Sequence, residues 1–192
     1  GIYLSSNALS GCTSSNVVIE SGRSSLPSKL FYGNTHVVTI TIPDSVASIG
    51  TACFSGCSRL ISVSIPSEIS EIPDSCFSGC SSLSGISIPS GVIKIGSSAF
   101  SGCANITTID FSTNLKEIGD NAFADSKNLQ NIYFYGNSPK LGNNIFKNVT
   151  ATVYYPYTDK TWSLDILRDY GGNITWVPWD PKTGSPAKRS LA

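Results

Sequence analysis

Apolar positions recur along this chain with a period of 23 residues. Phe31, Phe54, Phe77, Phe100, Phe123 and Phe146 mark the series. Five residues before each Phe stand Leu26, Ile49, Ile72, Ile95, Ile118 and Leu141. Six residues after stand Val37, Leu60, Leu83, Ile106 and Leu129; nine after stand Ile40, Val63, Ile86, Ile109 and Ile132. Self-similarity at such a fixed interval marks a chain that coils, adding one turn per repeat. Within a turn, Leu60-x-x-Val63-x-Ile65 alternates like a strand with one buried face. Pro66 ends it, because proline has no N–H to give a ladder. Stacked turns would run these strands parallel, about 4.8 Å apart. Ile69 to Ile72 returns along the opposite side, and Ser75 to Cys80 forms a compact bend that inserts its Phe ring inward. One turn cannot bury its own face, so each is stabilised by its neighbours.

The units "VSIPSEISEIPDSCFSGCSSL" and "ISIPSGVIKIGSSAFSGCANI" resemble the BspA-type (Treponema pallidum-type) leucine-rich repeat, over residues 17–154. The commoner leucine-rich repeat carries an Asn in L-x-x-N/C-x-L; these units lack it, so no Asn ladder is expected. The resemblance implies an α/β-type solenoid: a right-handed superhelix with parallel strands on its concave face. It also implies a surface-exposed or secreted protein, usually bacterial, used in adhesion and in host or matrix contact.

The two ends differ from the middle. Residues 1–16 read as a partial repeat, since "SNALSGC" echoes "SSAFSGC" with Leu9 in place of Phe. After Val153 the period stops. Trp162, Ile166 and Tyr170 then fall at i, i+4 and i+8, which predicts a short helix over 159–170. Gly171 and Gly172 follow as a helix stop. With "NITWVPWD" (Asn173 to Asp180), this predicts a helix-and-strand cap over 155–180 that closes the last turn, as solenoids require. The alternative use of Trp162, Trp176 and Trp179 is a sugar-stacking platform. Residues 181–192 read as a flexible tail or linker. Its "DPKTG" (Asp180 to Gly184) resembles a sortase motif with Asp where Leu belongs, and lacks the hydrophobic stretch that should follow.

Composition narrows the function. Net charge is zero and only 14% of residues are charged. Nucleic acid calls for a basic stripe, and an anionic membrane for a polybasic one; neither is present. No apolar run approaches the ~20 residues of a membrane span, and no signal peptide opens the sequence. An export signal is expected outside this sequence.

Six cysteines occur. Cys57, Cys80 and Cys103 stand three after a Phe, with Cys12 in the same place after Leu9; Cys53 and Cys76 stand just before one. Replacement by Ala99, Ala122 and Ser126 in other turns points to small buried slots holding reduced thiols. A disulfide between stacked turns and a zinc site are the competing readings.

No motif for catalysis appears: no G-x-S-x-G, H-E-x-x-H, Walker A or G-x-G-x-x-G. His36 is the lone histidine and reads as a solvated loop residue. No enzyme, cofactor or metal is therefore expected. What remains is the outward strand face, whose columns follow from alternation. One contains Thr41, Ser64, Ser87, Asp110 and Tyr133; the other Thr39, Ser62, Gly85, Thr108 and Asn131. The early turns offer small hydroxyls. The later ones are larger, with Gln130, Asn131 and Tyr133, and Tyr is enriched in interface hot spots. The expected role is a cell-surface module that binds an extracellular or host protein on the face formed by Thr41, Ser64, Ser87, Asp110, Gln130, Asn131 and Tyr133. A carbohydrate module using Tyr133, Tyr135 and the tryptophans, and a plain architectural spacer, are the alternatives.

Overall fold

A computed structural model describes residues 5–186 as a stack of about seven turns built from parallel strands. The described residues form fourteen strands, numbered here in chain order. One set lies along the outward face: β1 (Asn16–Val18), β3 (Thr39–Thr41), β5 (Ser62–Ser64), β8 (Thr108–Phe111), β10 (Asn131–Phe134), β12 (Thr150–Pro156) and β13 (Asn173–Asp180). Two-residue strands form the return side: β2 (Ser25–Leu26), β4 (Ser48–Ile49), β6 (Glu71–Ile72), β7 (Lys94–Ile95), β9 (Glu117–Ile118) and β11 (Lys140–Leu141). The short β14 (Ser185–Pro186) folds back antiparallel on the end of β13.

Residues one repeat apart are register partners: Val17 with Ile40, Ile40 with Val63, Ile109 with Ile132. Alternation puts those side chains inward, where Ile40, Val63, Ile109 and Ile132 are buried. The six phenylalanines form one column. Ring centroids from Phe31 to Phe123 are 5.2–5.6 Å apart with planes within 22° of parallel, and Phe146 follows at 6.3 Å. Phe31 to Phe146 are at most 1% exposed. Each such ring contributes about 1.5–3 kcal/mol of burial.

The bend around each Phe is a third ladder. The N–H of Phe54 donates to Cys76 O at 2.9 Å, and Phe77, Phe100 and Phe123 repeat the bond to the turn above. Residues two before and two after the Phe make equivalent bonds, such as Ala52 N–H to Asp74 O and Gly56 N–H to Ser78 O. Those two positions take the left-handed conformation in every turn from Phe31 to Phe146. The position after the ring is Gly33, Gly56, Gly79 and Gly102, then Asp125 and Asn148, residue types that tolerate positive φ.

The cysteine column closes the bend. Cys57, Cys80 and Cys103 Sγ donate to the carbonyls of Phe31, Phe54 and Phe77 at 3.1–3.2 Å, and Ser126 Oγ makes the same bond to Phe100 O at 2.8 Å. Between Cys12 and Cys57 in the column stands Asn34, fully buried and fully bonded. Its Nδ2 donates to Leu9 O and Cys12 O, and its Oδ1 accepts from the N–H groups of His36 and Val37. Burial pushes the thiols of Cys53, Cys57 and Cys103 up to about 12, and those of Cys76 and Cys80 well above the ordinary thiol range.

On the return side, Glu71, Lys94, Glu117 and Lys140 occupy one register line. Lys94 Nζ lies 3.1 Å from Glu71 and Lys140 Nζ 3.9 Å from Glu117. Two residues further on, turns approach so closely that a Cβ on Gly96 would fall 2.5 Å from Asp74 N. Asp74 and Asp120 carboxylates accept the N–H groups of Ser97 and Asn143 in the turn above.

Two expectations are corrected. The described residues contain no helix, so the fold is all-β rather than α/β-type, and there is no C-terminal helix cap. Residues 159–170 instead make another pass of the coil. Trp162 is buried and Ile166 and Tyr170 pack on the core, so the inward positions were read correctly. The segment, however, supplies acceptors to the turn beneath. Tyr170 O accepts Phe146 N–H, Gly171 O accepts Asn148 N–H, and Thr161 Oγ1 accepts Ser138 N–H. Local bonds here span two or three residues, as in Ile166 N–H to Ser163 O. Within the segment read as a tail, 181–192, β14 turns back onto β13; residues 187–192 of it, and residues 1–4 of the partial first repeat, lie outside the described ones.

Two outcomes are expected. Phe100→Ala, in mid-column, costs about 3–5 kcal/mol, read as a lowered urea midpoint. The second concerns pH. A thiol whose folded pKa is raised stabilises the fold fully below its unfolded value of about 8.5 and loses that contribution as pH climbs toward the folded value. Each buried thiol therefore removes about 1.4 kcal/mol per pH unit above that point. Urea melts from pH 7.5 to 10 are expected to fall steeply, and Cys57→Ser to flatten the slope by one proton.

Candidate functional site

The outward face of the long strands divides into two parts. In the first, Asn16, Thr39 and Ser62 share one register line and Val18, Thr41 and Ser64 the next. Thr41 and Ser64 are exposed, and Thr39 Oγ1 donates to Asn16 Oδ1 at 2.6 Å. This part carries the hydroxyls of Thr39, Thr41, Ser62 and Ser64, with Asn16 and the exposed Val18 at its first strand.

The ladder is then interrupted. Ser62 bridges Gly85, but residues 86–88 form no strand. Ser87 is exposed and stands outside any strand, so the expected column through Ser87 is not continuous. Gly85 takes the place held by Thr39, Ser62 and Thr108, and glycine weakens a strand interior. The Phe column and the return side run past this point unbroken.

The second part begins at β8. Asp110, Tyr133 and Tyr154 are register neighbours, as are Thr108, Asn131 and Thr152. Tyr133 and Tyr154 stack at 4.5 Å and 8°. Trp179, opposite Pro156, reaches across to Tyr133 and Tyr135 with centroids 5.1 Å away, and its Nε1 donates to Phe134 O at 3.2 Å. Tyr135 Oη donates to Asp110 Oδ1 at 3.5 Å. Asp110 and Gln130 are exposed, Asn131 and Tyr133 half-buried. Gln130 sits just ahead of β10, off both register lines; its carbonyl accepts Thr152 N–H. Burial, then the Tyr154 phenol and the Asp110 carboxylate, raise the Tyr133 pKa; burial, then Asp110, raise that of Tyr135.

The tryptophans do not share a face. Trp162 and Trp176 lie inside, 5.9 Å apart, packed with Tyr155 and bonded through Nε1 to Gly136 O and Arg168 O. Trp162 is 7% and Trp179 5% exposed. Tyr154 and Trp179 were not read from the sequence as part of the outer row. Tyr154 stands 21 residues after Tyr133, because the path from Phe146 to β12 is two residues shorter than in earlier turns. The signal was the apolar alternation of Val149, Ala151 and Val153. Two shallow hollows elsewhere are lined by Val38, Arg59, Ile61, Ser82, Ser84 and Asn105, and by Leu141, Gly142, Asn143, Asn144, Arg168 and Tyr170. Neither pairs a carboxylate or imidazole with a nucleophile.

Parallel in-register strands, 23-residue turns and a buried Phe column define a leucine-rich repeat solenoid. Residues 24–153 match the BspA type Leucine rich repeat region in six copies, and the chain belongs to that family. Three solved structures are similar to it. A leucine rich cell surface protein from Faecalibacterium prausnitzii is 34% identical over 64% of this chain and 32% of its own, with a TM-score of 0.61. The Treponema pallidum leucine rich repeat protein is 26% identical over 75% and 79%, with a TM-score of 0.67. A leucine-rich repeat protein from Bacteroides ovatus is 29% identical over 86% and 44%, with a TM-score of 0.68. The chain thus matches about a third of the Faecalibacterium protein's length and less than half of the Bacteroides protein's. No curated protein matches the chain.

Proposed function

We propose that this chain is a non-catalytic interaction module of a cell surface, binding a protein ligand through the outward face of its long strands. The observation that carries the reading is the aromatic and acidic row on β8, β10 and β12. Asp110, Tyr133, Tyr135 and Tyr154 are held on a rigid ladder and reach solvent. Tyr offers broad contact area for two rotatable bonds, which keeps the ordering cost of binding low. The hydroxyl-rich turns before it extend the same face without charge. The cell-surface placement is supported by the family and by the description of the Faecalibacterium protein. An adhesive contact with host or matrix protein fits such a surface. Burial of Trp162 and Trp179 leaves no open tryptophan pair for a sugar, which favours protein over glycan.

The test is a panel of matrix and surface proteins run beside a glycan array. A protein partner is expected whose Kd rises at least about tenfold in Tyr133→Ala and Asp110→Ala, while both variants still melt cooperatively well above the binding temperature. Binding of glycans alone, lost with Trp179→Ala but not with those two variants, would overturn the reading.

A further inference from the structure

The end of the outward face contains a slot with a definite chemistry. β8, β10 and β12 lie side by side, so Tyr133 has Tyr154 on one side and Asp110 on the other. Tyr154 covers one face of the Tyr133 ring. The opposite face looks across one strand spacing, about 4.8 Å, toward Asp110, whose short side chain leaves it open. Tyr135, two residues further along the same strand line as Tyr133, donates to Asp110 Oδ1 at 3.5 Å. Strands β8, β10, β12 and β13 carry no Lys or Arg, and carry Asp110 and Asp180. Asp180 is occupied by the N–H of Lys182; Asp110 is the exposed charge of the patch.

Resting on the protein-binding reading above, we propose that Asp110, Tyr133 and Tyr135 form a receptor for an arginine side chain of the partner. A guanidinium is planar, stacks on an aromatic face and pairs with a carboxylate through two N–H groups. The slot admits such a flat group against Tyr133 with its edge on Asp110. A lysine ammonium brings charge but cannot stack.

The experiment is an NMR titration of the labelled chain with acetyl-Gly-Arg-Gly amide, its citrulline counterpart, its lysine counterpart and a neutral oligosaccharide. Saturable shifts are expected at the amides of Asp110, Tyr133 and Tyr135 with arginine, and none with citrulline. Asp110→Asn, which is nearly isosteric at an exposed site, is expected to weaken arginine binding about tenfold, and Tyr133→Leu by a similar factor. Equal shifts with citrulline, stronger binding of lysine, or shifts from the oligosaccharide alone would overturn the assignment. Partner capture that survives Asp110→Asn, with no arginine shifts, would sink this inference and leave protein binding by the face intact. Arginine shifts with no partner found on the panel would sink the broader reading and support the slot.

Discussion

Parallel backbone pairing at a fixed rise is the constraint on which this molecule depends. Once one turn is bonded to the next in register, equivalent atoms of successive turns stand about 4.8 Å apart. Whatever side chain works at a position must then work beside a copy of itself. Phe satisfies this because flat rings stack at 5.2–5.6 Å. Small thiols and hydroxyls satisfy it by donating to the carbonyl of the Phe below. A buried polar group without such a partner would cost about 1–3 kcal/mol; Asn34 avoids this by engaging both ends of its amide.

The same constraint shapes the surface. Where identical neighbours would repel, the column alternates, as in Glu71, Lys94, Glu117 and Lys140. Where the outward face carries only small residues it forms an even sheet. Where Tyr133 and Tyr154 occupy adjacent turns they stack along the axis, and the stack must end somewhere. It ends at Asp110, so one ring face is left open. The recognition chemistry of the face arises from the point at which a repeated column changes residue type.

Most of the fold was legible in the sequence because a period is visible without knowing any contact. Phe31 to Phe146, the inward strand residues and the buried cysteines all lie on it. Three features escaped because they depend on departures from the period. The two-residue shortening after Phe146 shifted Tyr154 and hid β12 and β13. The spacing of Trp162, Ile166 and Tyr170 suits a helix, yet Phe146 and Asn148 need acceptors from that segment, and this tertiary demand decides its path. The strand ladder lapses after Gly85, so Ser87 stands outside it although the column count runs on. Of the candidate face, Asp110, Asn131 and Tyr133 fall together as read. Tyr154 and Trp179 complete it from turns where the numbering had slipped.

The alternating charges of the return side bear on how such a chain can lengthen or shorten by copying its own segments. Like charges directly opposite one another destabilise neighbouring strands. Duplicating or deleting one turn between Glu71 and Lys140 would set glutamate beside glutamate or lysine beside lysine. Duplicating or deleting two turns together preserves the alternation. The electrostatically matched unit in this stretch is therefore a pair of windings, twice the unit that the phenylalanines mark, though pairs so exposed weigh only about 0–1 kcal/mol each.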